Sequence, residues 1–188
     1  MKKISLILFF IILCSVSVSA QQLRVRVFSQ QKIKQTSFVP SFGRYSVEID
    51  GNLTRLSRTS NVKLSALNGK VEVRINDSVF ANSEKVTFKS EGIKSFFRLK
   101  PIAPEIAERR YDDALEVSVN GNGNLVLINI VEQENYIAGV VQSETWGATK
   151  NIDFFKVQAI CCRNYLFRNM NKHSKDGYHL CDDVHCQA

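Results

Sequence analysis

The sequence predicts an α+β protein, in which a β-rich N-terminal part is followed by a helical part that carries the functional site. Two observations lead to this fold class. Over residues 23–131 apolar and polar residues alternate in short runs, which is the period of half-buried strands. From Glu132 onward, apolar residues recur at the three- and four-residue spacing of a helix.

The first twenty residues have the layout of a secretory signal peptide. Lys2 and Lys3 precede a mostly apolar run over residues 4–18, and small residues end the segment. This layout predicts cleavage after Ala20. An uncleaved anchor is the alternative, but the run is shorter than the about 20 apolar residues of a spanning helix. We therefore predict export to the periplasm or cell envelope, with membrane contact only in transit through this segment.

The charge of the chain narrows the classes of partner. The formal net charge is +7, and loss of residues 1–20 removes two lysines and no acidic residue. A basic exported protein suits anionic polymers such as a cell wall, or phospholipid head groups. Nucleic acid is not expected as a partner, because export separates the protein from it. The basic residues are scattered rather than clustered, so general solubility is the alternative explanation.

The β-rich part contains five clear strand patterns and one hairpin. The runs are LRVRVF (23–28), YSVEI (45–49), VEVRI (71–75), SFFRLK (95–100) and LEVSVN (115–120). The NGNG turn at 120–123 joins the last run to NLVLINIV, so this stretch predicts a hairpin. Two prolines predict a loop near residues 101–108.

Two helices and a polar tail are predicted after this β-rich part. The first covers EQENYIAGVVQSE (132–144), and the second begins at an N-cap candidate, Asn151 or Asp153. The second helix is apolar on most of its sides, so we expect it to be buried on most sides. Its adjacent Cys161 and Cys162 are most simply small apolar residues of the packing. The tail SKDGYHLCDDVHCQA is expected to be a loop.

Glu144 and Arg163 are the unusual charged residues of this helical part. Glu144 follows an apolar run and precedes Trp146, the single tryptophan of the chain. Burial beside an indole would raise the pKa of a carboxyl and suit it to general acid catalysis, whereas the alternative is a solvated glutamate at a helix end. Arg163 lies in the most apolar helix, where we expect it to pair with a carboxylate or to extend to solvent.

The tail combines the three histidines of the chain with two cysteines. Cysteine and histidine together are the ligands that zinc prefers. A Cys181–Cys186 disulfide is the competing interpretation, because export favours oxidation. The spacing of the residues alone does not decide between a zinc site and a disulfide. Clustering of the mature cysteines near the C-terminus predicts a local site rather than a disulfide framework.

Three motifs in order resemble one known family. They are INIVEQENYIAGVVQSE (128–144), KVQAICCRNYL (156–166) and LCDDVHCQ (180–187). They resemble the SpoIID/LytB domain family, whose members carry lplEeYLxGVvxsEm, kAQAvaaRtYa and tthCQxY segments. The resemblance divides the chain into a signal peptide (1–20), a β-rich region (21–109) and the N-terminal portion of a SpoIID/LytB-like domain (110–188).

The resemblance implies an action on peptidoglycan. The sporulation member of the family is a lytic transglycosylase that cleaves glycan strands already stripped of stem peptides, together with an N-acetylmuramoyl-L-alanine amidase. LytB-type members are described as amidase enhancers. In a lytic transglycosylase the muramic acid 6-hydroxyl attacks the anomeric carbon and a 1,6-anhydro end forms. One carboxylate therefore suffices, whereas most glycosidases use two.

The resemblance also implies roles for residues on the glycan side of the site. The catalytic glutamate of the family corresponds to Glu144, as the acid/base. Arg163 and Gln187 match the arginine and glutamine of the family motifs, and with Trp146 they are expected to contact the substrate.

Zinc is the cofactor that the resemblance implies, since some members hold it through histidine and cysteine of the tail. Carried over, the ligands are Cys181 and Cys186, with His173 or His185 as the nitrogen ligand. His179 matches less well.

Departures from the family pattern set two further expectations. SETW replaces the usual SEM followed by proline, so the wall of the site is expected to differ. Family domains continue for roughly a hundred residues beyond the CQ motif, whereas this sequence stops at Ala188. We therefore expect an incomplete domain with uncovered apolar surface.

Three function classes follow from the sequence. The first is an exported lytic transglycosylase of peptidoglycan. The second is a non-enzymatic module that binds the cell wall or enhances an amidase. The third is a small zinc-stabilised exported domain with another purpose.

Overall fold

The computed structural model describes residues 21–147, 149–183 and 186 of the chain. The predicted signal peptide (1–20), His185 and Gln187 lie outside these residues. The strands are β1 (Gln22–Val27), β2 (Gln35–Ile49), β3 (Asn52–Arg55), β4 (Val62–Leu67), β5 (Lys70–Ile75), β6 (Ser78–Ser83), β7 (Lys85–Ala103), β8 (Arg109–Asp112), β9 (Ala114–Val119), β10 (Leu125–Glu132) and β11 (Leu180–Cys181). The helices are α1 (Gln133–Thr145) and α2 (Ile152–Asn169), followed by a 3₁₀ turn at Ser174–Asp176.

The strands of the described residues form one sheet, and the two helices follow nearly all of these strands in the sequence. The predicted α+β class is therefore confirmed. Their spatial order is β11-β1-β10-β9-β7-β2-β4-β5-β6, with β3 beside β2 and β8 beside β7. Neighbours are antiparallel except β1 and β11, which run parallel. The predicted hairpin is confirmed, since β9 and β10 pair around a turn that Asn120 closes with its side-chain oxygen. The predicted loop near 101–108 starts later than expected, because β7 continues to Ala103 beside β2.

An aromatic cluster fills the centre of the sheet's buried face. Phe38 stacks on Phe88 and Phe97, with ring centroids 4.1 and 4.9 Å apart, and meets Tyr45 edge-on at 5.4 Å. All four side chains are buried. The Tyr45 hydroxyl donates to the Asp113 carbonyl oxygen at 2.8 Å, which satisfies the one polar group of the cluster. The apolar positions of the alternating pattern are therefore those of β2 and β7 that face the core.

Helix α1 starts directly at the end of β10 because Asp113 fixes its first turn. The residue at its N-cap, Glu132, makes no side-chain cap. Instead the Asp113 carboxylate accepts the Glu132 backbone N–H at 2.8 Å and the Asn135 side-chain amide at 3.2 Å. A carboxylate at this end also complements the helix dipole.

Helix α2 packs through one side, which corrects the expectation that it is buried on most sides. Asn151 caps it as predicted, accepting the Asp153 N–H at 2.9 Å. Only Cys162 and Leu166 of this helix are buried, whereas large apolar side chains elsewhere on it are exposed: Ile152, Phe154, Val157, Ile160 and Phe167. The reason is that α2 meets α1 and the tail on one side, and no other described element covers its outer side. Neither of the two described helices is long and apolar enough to cross a membrane.

The tail, expected to be a loop, instead adds a short parallel strand to the edge of β1. His179 donates its backbone N–H to the Arg24 carbonyl oxygen at 2.8 Å, and its Nδ1 accepts the Arg24 N–H at 3.0 Å. Burial and the neighbouring Arg24 charge lower the pKa of His179, so the neutral ring can accept this bond. The Asp182 N–H then donates to the Arg26 carbonyl oxygen at 3.0 Å.

The Asp182 carboxylate secures the tail to the end of β1. It accepts the N–H groups of Phe28 and Ser29 at 2.7 and 2.9 Å and the Ser29 hydroxyl at 2.7 Å. Arg109 adds an ion pair at 3.1 Å. Phe28 has a φ of 52°, a conformation that costs a non-glycine residue energy, so the carboxylate also offsets local strain.

We expect Asp182→Ala to lower the free energy of unfolding by about 2–3 kcal/mol, because two backbone donors and a hydroxyl lose their acceptor. Urea denaturation of the two proteins measures the difference. Glu105→Ala is the control, since that side chain is 81% exposed and its ion pair with Lys100 is long at 3.9 Å; it should change stability by about 0.5 kcal/mol or less. A loss for Asp182→Ala as small as that of the control would contradict the assigned role.

Candidate functional site

A cleft of about 540 Å³ lies between α1 and the β1–β10 end of the sheet. Residues of α1 between 135 and 144 form one wall, and β1, β8, β10 and Asp182 contribute the other. Three α1 residues that line it, Ala138, Gly139 and Ser143, are small. The Tyr111 hydroxyl is buried in this cleft without a hydrogen-bond partner among the described residues. Burial raises the pKa of Tyr111, so its phenol stays neutral and keeps its proton.

Glu144 lies at one end of this cleft, on the last turn of α1, and is held by α2. The Gln158 side-chain amide donates to its Oε2 at 2.5 Å, and the Cys162 thiol lies 3.8 Å from the same oxygen. Gln158 and Cys162 are four residues apart and so share one face of α2. Burial, followed by the Glu144 charge, raises the pKa of the Cys162 thiol, so it remains a neutral donor beneath the carboxylate.

Trp146 does not wall off this carboxylate. Its side chain is 80% exposed, and Glu144 is exposed as well. The chain leaves α1 at this point, where Trp146 has a φ of −52° and a ψ of 114° and Gly147 follows at a φ of 73°. The expected burial of Glu144 beside an indole is therefore absent from this structure, and Trp146 offers an open apolar surface instead.

Arg163 pairs with a carboxylate, as the sequence led us to expect. Its Nη2 lies 2.7 Å from Glu134 Oε2, and this bond joins the first turn of α1 to the middle of α2. The guanidinium is about one-third exposed. Because Glu134 and Glu144 contact the same helix ten residues apart along α1, the two contacts together set how α1 and α2 lie against each other.

Three of the predicted metal ligands come together in the folded tail. His173, Cys181 and Cys186 place one ligand atom each within 4.8 Å of one another. His173 Nε2 lies 3.2 Å from Cys186 Sγ and 3.8 Å from Cys181 Sγ. Both thiols are buried and neither forms a disulfide. His179 is not part of this group, because its ring faces the β1 backbone.

The surroundings of this cluster orient the imidazole. The Tyr178 ring stacks on His173 at a centroid distance of 4.8 Å, and Asp176 lies 3.5 Å from His173 Nδ1, which leaves Nε2 directed at the thiols. Cys186 also shares a small space with Tyr136 of α1 and Cys162 of α2. The tail cluster therefore packs against the same pair of helices that holds Glu144.

Residues 121–188 match the family model described as Stage II sporulation protein, SpoIID. Neither curated proteins nor solved structures yield a match. The family match confirms the resemblance seen in the sequence and indicates a protein related to sporulation or the cell wall.

The SpoIID segment begins in the turn between β9 and β10 and includes both helices and the tail. Glu144, Arg163 and the His173–Cys181–Cys186 cluster all lie inside it. Sequence reasoning missed Gln158, which makes the shortest contact with Glu144, and it treated Cys162 only as a packing residue. A signal for Gln158 was present: it is a polar residue within an apolar helix, as is Arg163. The Tyr111 contribution lies outside the SpoIID segment and had no such signal.

The contact between Glu144 and Cys162 predicts a change in thiol reactivity. Glu144→Gln should speed alkylation of Cys162 by iodoacetamide at pH 8, because removing the carboxylate charge lowers the pKa of the thiol and the thiolate is the nucleophile. Burial also raises this pKa and remains in the variant, so we expect a gain of about two- to tenfold. Peptide mass spectrometry at several times gives the rate for each cysteine.

Exposed Cys161 provides an internal reference in the same samples and should react first at an unchanged rate. Glu134→Gln is the matched control, since it neutralises another glutamate of α1 that contacts Arg163 rather than Cys162. Equal Cys162 rates in the Glu144 and Glu134 variants would show that the carboxylate does not face this thiol.

Proposed function

We propose that this protein is an exported lytic transglycosylase of peptidoglycan, with Glu144 as its single acid/base. The observation that carries the proposal is the position of Glu144 at the end of a cleft, fixed by a neighbouring helix and open to a ligand. The SpoIID match supports the cell-wall context. The proposed site of action is the periplasm or cell envelope, and the proposed working partner is an amidase that removes stem peptides.

One carboxylate is sufficient for this chemistry. Protonated Glu144 donates to the glycosidic oxygen as the bond from that oxygen to the muramic acid anomeric carbon breaks. The resulting carboxylate then removes the proton from the 6-hydroxyl of the same muramic acid, whose oxygen bonds to the anomeric carbon. The acid is regenerated, the product is a 1,6-anhydro end, and no water is consumed. Gln158 would hold Oε2 in place, so that Oε1 faces the glycan.

The shape of the cleft suits an unbranched glycan. Small residues on the α1 wall allow a sugar ring to approach the helix backbone, and the buried Tyr111 hydroxyl offers a hydrogen-bond donor. Trp146, exposed beside Glu144, offers an apolar surface for a pyranose ring, whereas the charge of Arg163 is already paired with Glu134, so its proposed contact with the glycan requires that this pair be shared. Removal of stem peptides leaves a carboxylate on each muramic acid, which complements a basic protein.

We propose zinc as a structural ion in the tail, held by His173, Cys181 and Cys186. A tetrahedral zinc ion, with bonds of about 2.3 Å to sulfur and about 2.0–2.1 Å to nitrogen, separates its ligand atoms by roughly 3.5–3.8 Å. The His173–Cys181 separation of 3.8 Å lies at the upper end of this range, and the His173–Cys186 separation of 3.2 Å is about 0.3 Å shorter than its lower end, so a small side-chain adjustment would bring the ligands into place. When bound, zinc would cross-link the tail to itself beside α1 and α2, away from the acid/base step.

A second candidate, a glycan-binding module that enhances an amidase, is favoured by the open position of Glu144. General acids in glycosidases are typically enclosed by apolar side chains, and neither Trp146 nor another described residue encloses this one. Both candidates require glycan binding in the cleft. Only the transglycosylase forms 1,6-anhydro ends.

For the transglycosylase, we expect Glu144→Gln to reduce the rate of glycan cleavage by about 10⁴-fold, since one group serves both proton transfers. Glutamine keeps the size of the side chain, so binding to the glycan should stay within about twofold of the original affinity. The measurement is digestion of amidase-treated peptidoglycan by the full chain, with 1,6-anhydro products quantified by liquid chromatography and mass spectrometry.

Glu84→Gln is the matched control, because Glu84 is an exposed residue between β6 and β7 and should leave turnover unchanged. Normal turnover by Glu144→Gln would refute the assignment. Absence of anhydro products with the unmutated chain, together with retained glycan binding, would favour the amidase-enhancing module.

For the tail, we expect reduced protein to bind one zinc per chain and to gain several degrees in its melting temperature. Cys186→Ser and Cys181→Ser should each lower the bound zinc well below one per chain by elemental mass spectrometry, because a thiolate ligand is lost. Cys161→Ser is the control and should bind normally, since Cys161 is exposed and outside the cluster. A Cys181–Cys186 disulfide in freshly isolated protein, with no zinc uptake after reduction, would exclude the site.

A further inference from the structure

A second, smaller cleft adjoins the Glu144 cleft on the sheet. It has a volume of about 300 Å³ and shares Arg110, Asp112 and Asn135 with the first. Those three residues therefore form the junction between the two clefts. Beyond the junction the walls come from β2 and β7, which lie outside the SpoIID segment.

An aromatic surface forms the floor of this second cleft. Phe42 and Phe96 are paired across β2 and β7, and their rings stack at 5.6 Å with an angle of 10° between planes. The Arg110 guanidinium lies 3.8 Å from the centre of the Phe96 ring, which links the pair to the junction. Phe42 remains 53% exposed although it is stacked. We call these two side chains the Phe42–Phe96 platform.

The backbone of β2 is irregular where it presents this platform. The β2–β7 register shifts on both sides of Phe42, and irregularities of this kind redirect side chains. Gly43 follows with a φ of 83°, and a Cβ there would collide with Ser95 Oγ. Both the positive φ and the close approach require glycine.

Ser95 provides an unsatisfied polar group in the same cleft. Ser95 is only 4% exposed, and it lines the cleft beside the platform. Its hydroxyl has no hydrogen-bond partner among the described residues. Buried hydroxyls are normally paired, so this one has capacity for a ligand, directly or through a water molecule.

We propose that the Phe42–Phe96 platform is a distal subsite for the same glycan strand that enters the Glu144 cleft. This inference rests on the proposed glycan-directed function. The apolar face of a pyranose ring would pack on the open Phe42 ring, where burial of apolar area favours binding. Lys94, exposed in this cleft, would supply a positive charge for the carboxylates that a stripped strand carries on its muramic acids, whereas Arg110 is already paired with Asp112 at 3.3 Å.

A distal subsite makes affinity depend on strand length. A strand that reaches the platform gains the stacking contact, whereas a disaccharide in the Glu144 cleft does not. Phe42→Ala should therefore weaken binding of a long strand by about 5- to 10-fold, as expected for loss of one well-placed aromatic contact. Binding of the disaccharide should stay within about twofold.

The experiment uses the full chain carrying Glu144→Gln, so that bound strands are not cleaved. Titration calorimetry measures its affinity for an amidase-stripped octasaccharide and disaccharide of peptidoglycan, with and without Phe42→Ala. Phe42→Tyr should restore octasaccharide affinity, because it retains the ring. Phe80→Ala is the matched control, since Phe80 is 45% exposed on β6 at the opposite edge of the sheet.

The outcomes separate the two proposals. If neither oligosaccharide binds to the parent protein, the proposed function fails, and the subsite with it. If the octasaccharide binds and Phe42→Ala leaves its affinity unchanged, or weakens both oligosaccharides equally, the distal subsite is overturned while the proposed function stands. Melting temperatures of the variants within a few degrees of the parent show that any loss is local.

Discussion

The attachment of the tail to β1 is the constraint on which the functional half of the molecule depends. Asp182 and the backbone of His179 hold the tail against the edge strand, and Cys181 and Cys186 flank Asp182 in the sequence. The thiols are therefore delivered to His173 only when this edge is formed. Because Cys186 packs beside Tyr136 and Cys162, the same attachment supports the helix pair that carries Glu144.

Most of the fold could be predicted from local patterns, since half-buried strands and the Asn151 cap leave direct traces in the sequence. The pairing of β11 with the edge of the sheet could not be predicted, because two residues are too few to show the alternation of a strand. The outer side of α2 was misjudged for a related reason. The sequence shows only that many side chains of α2 are apolar, whereas their burial depends on how many elements pack around the helix.

The residues of the candidate site could be proposed from the sequence, but their geometry could not. Glu144, Arg163 and the tail ligands stand out as residue types in unusual positions, and the family motifs reinforced them. Gln158 did not stand out, because its contact with Glu144 arises only when α1 and α2 pack side by side. The environment of Glu144 was also beyond reach, since a tryptophan next in sequence need not cover the carboxylate, and here Trp146 is exposed where α1 ends.

The order of strands has a consequence for how the chain acquires its structure. β1 pairs with β10 and β11, so Gln22 meets Glu132 and Val25 meets Leu180, at separations that span most of the sequence. Contacts between distant residues require closure of long loops, and chains that rely on them fold slowly. β1, which is synthesised first, is thus among the last strands to gain both of its partner strands. Until then its unpaired backbone is open to pairing with other chains, so the slow closure of this edge is also the stage at which aggregation competes with folding.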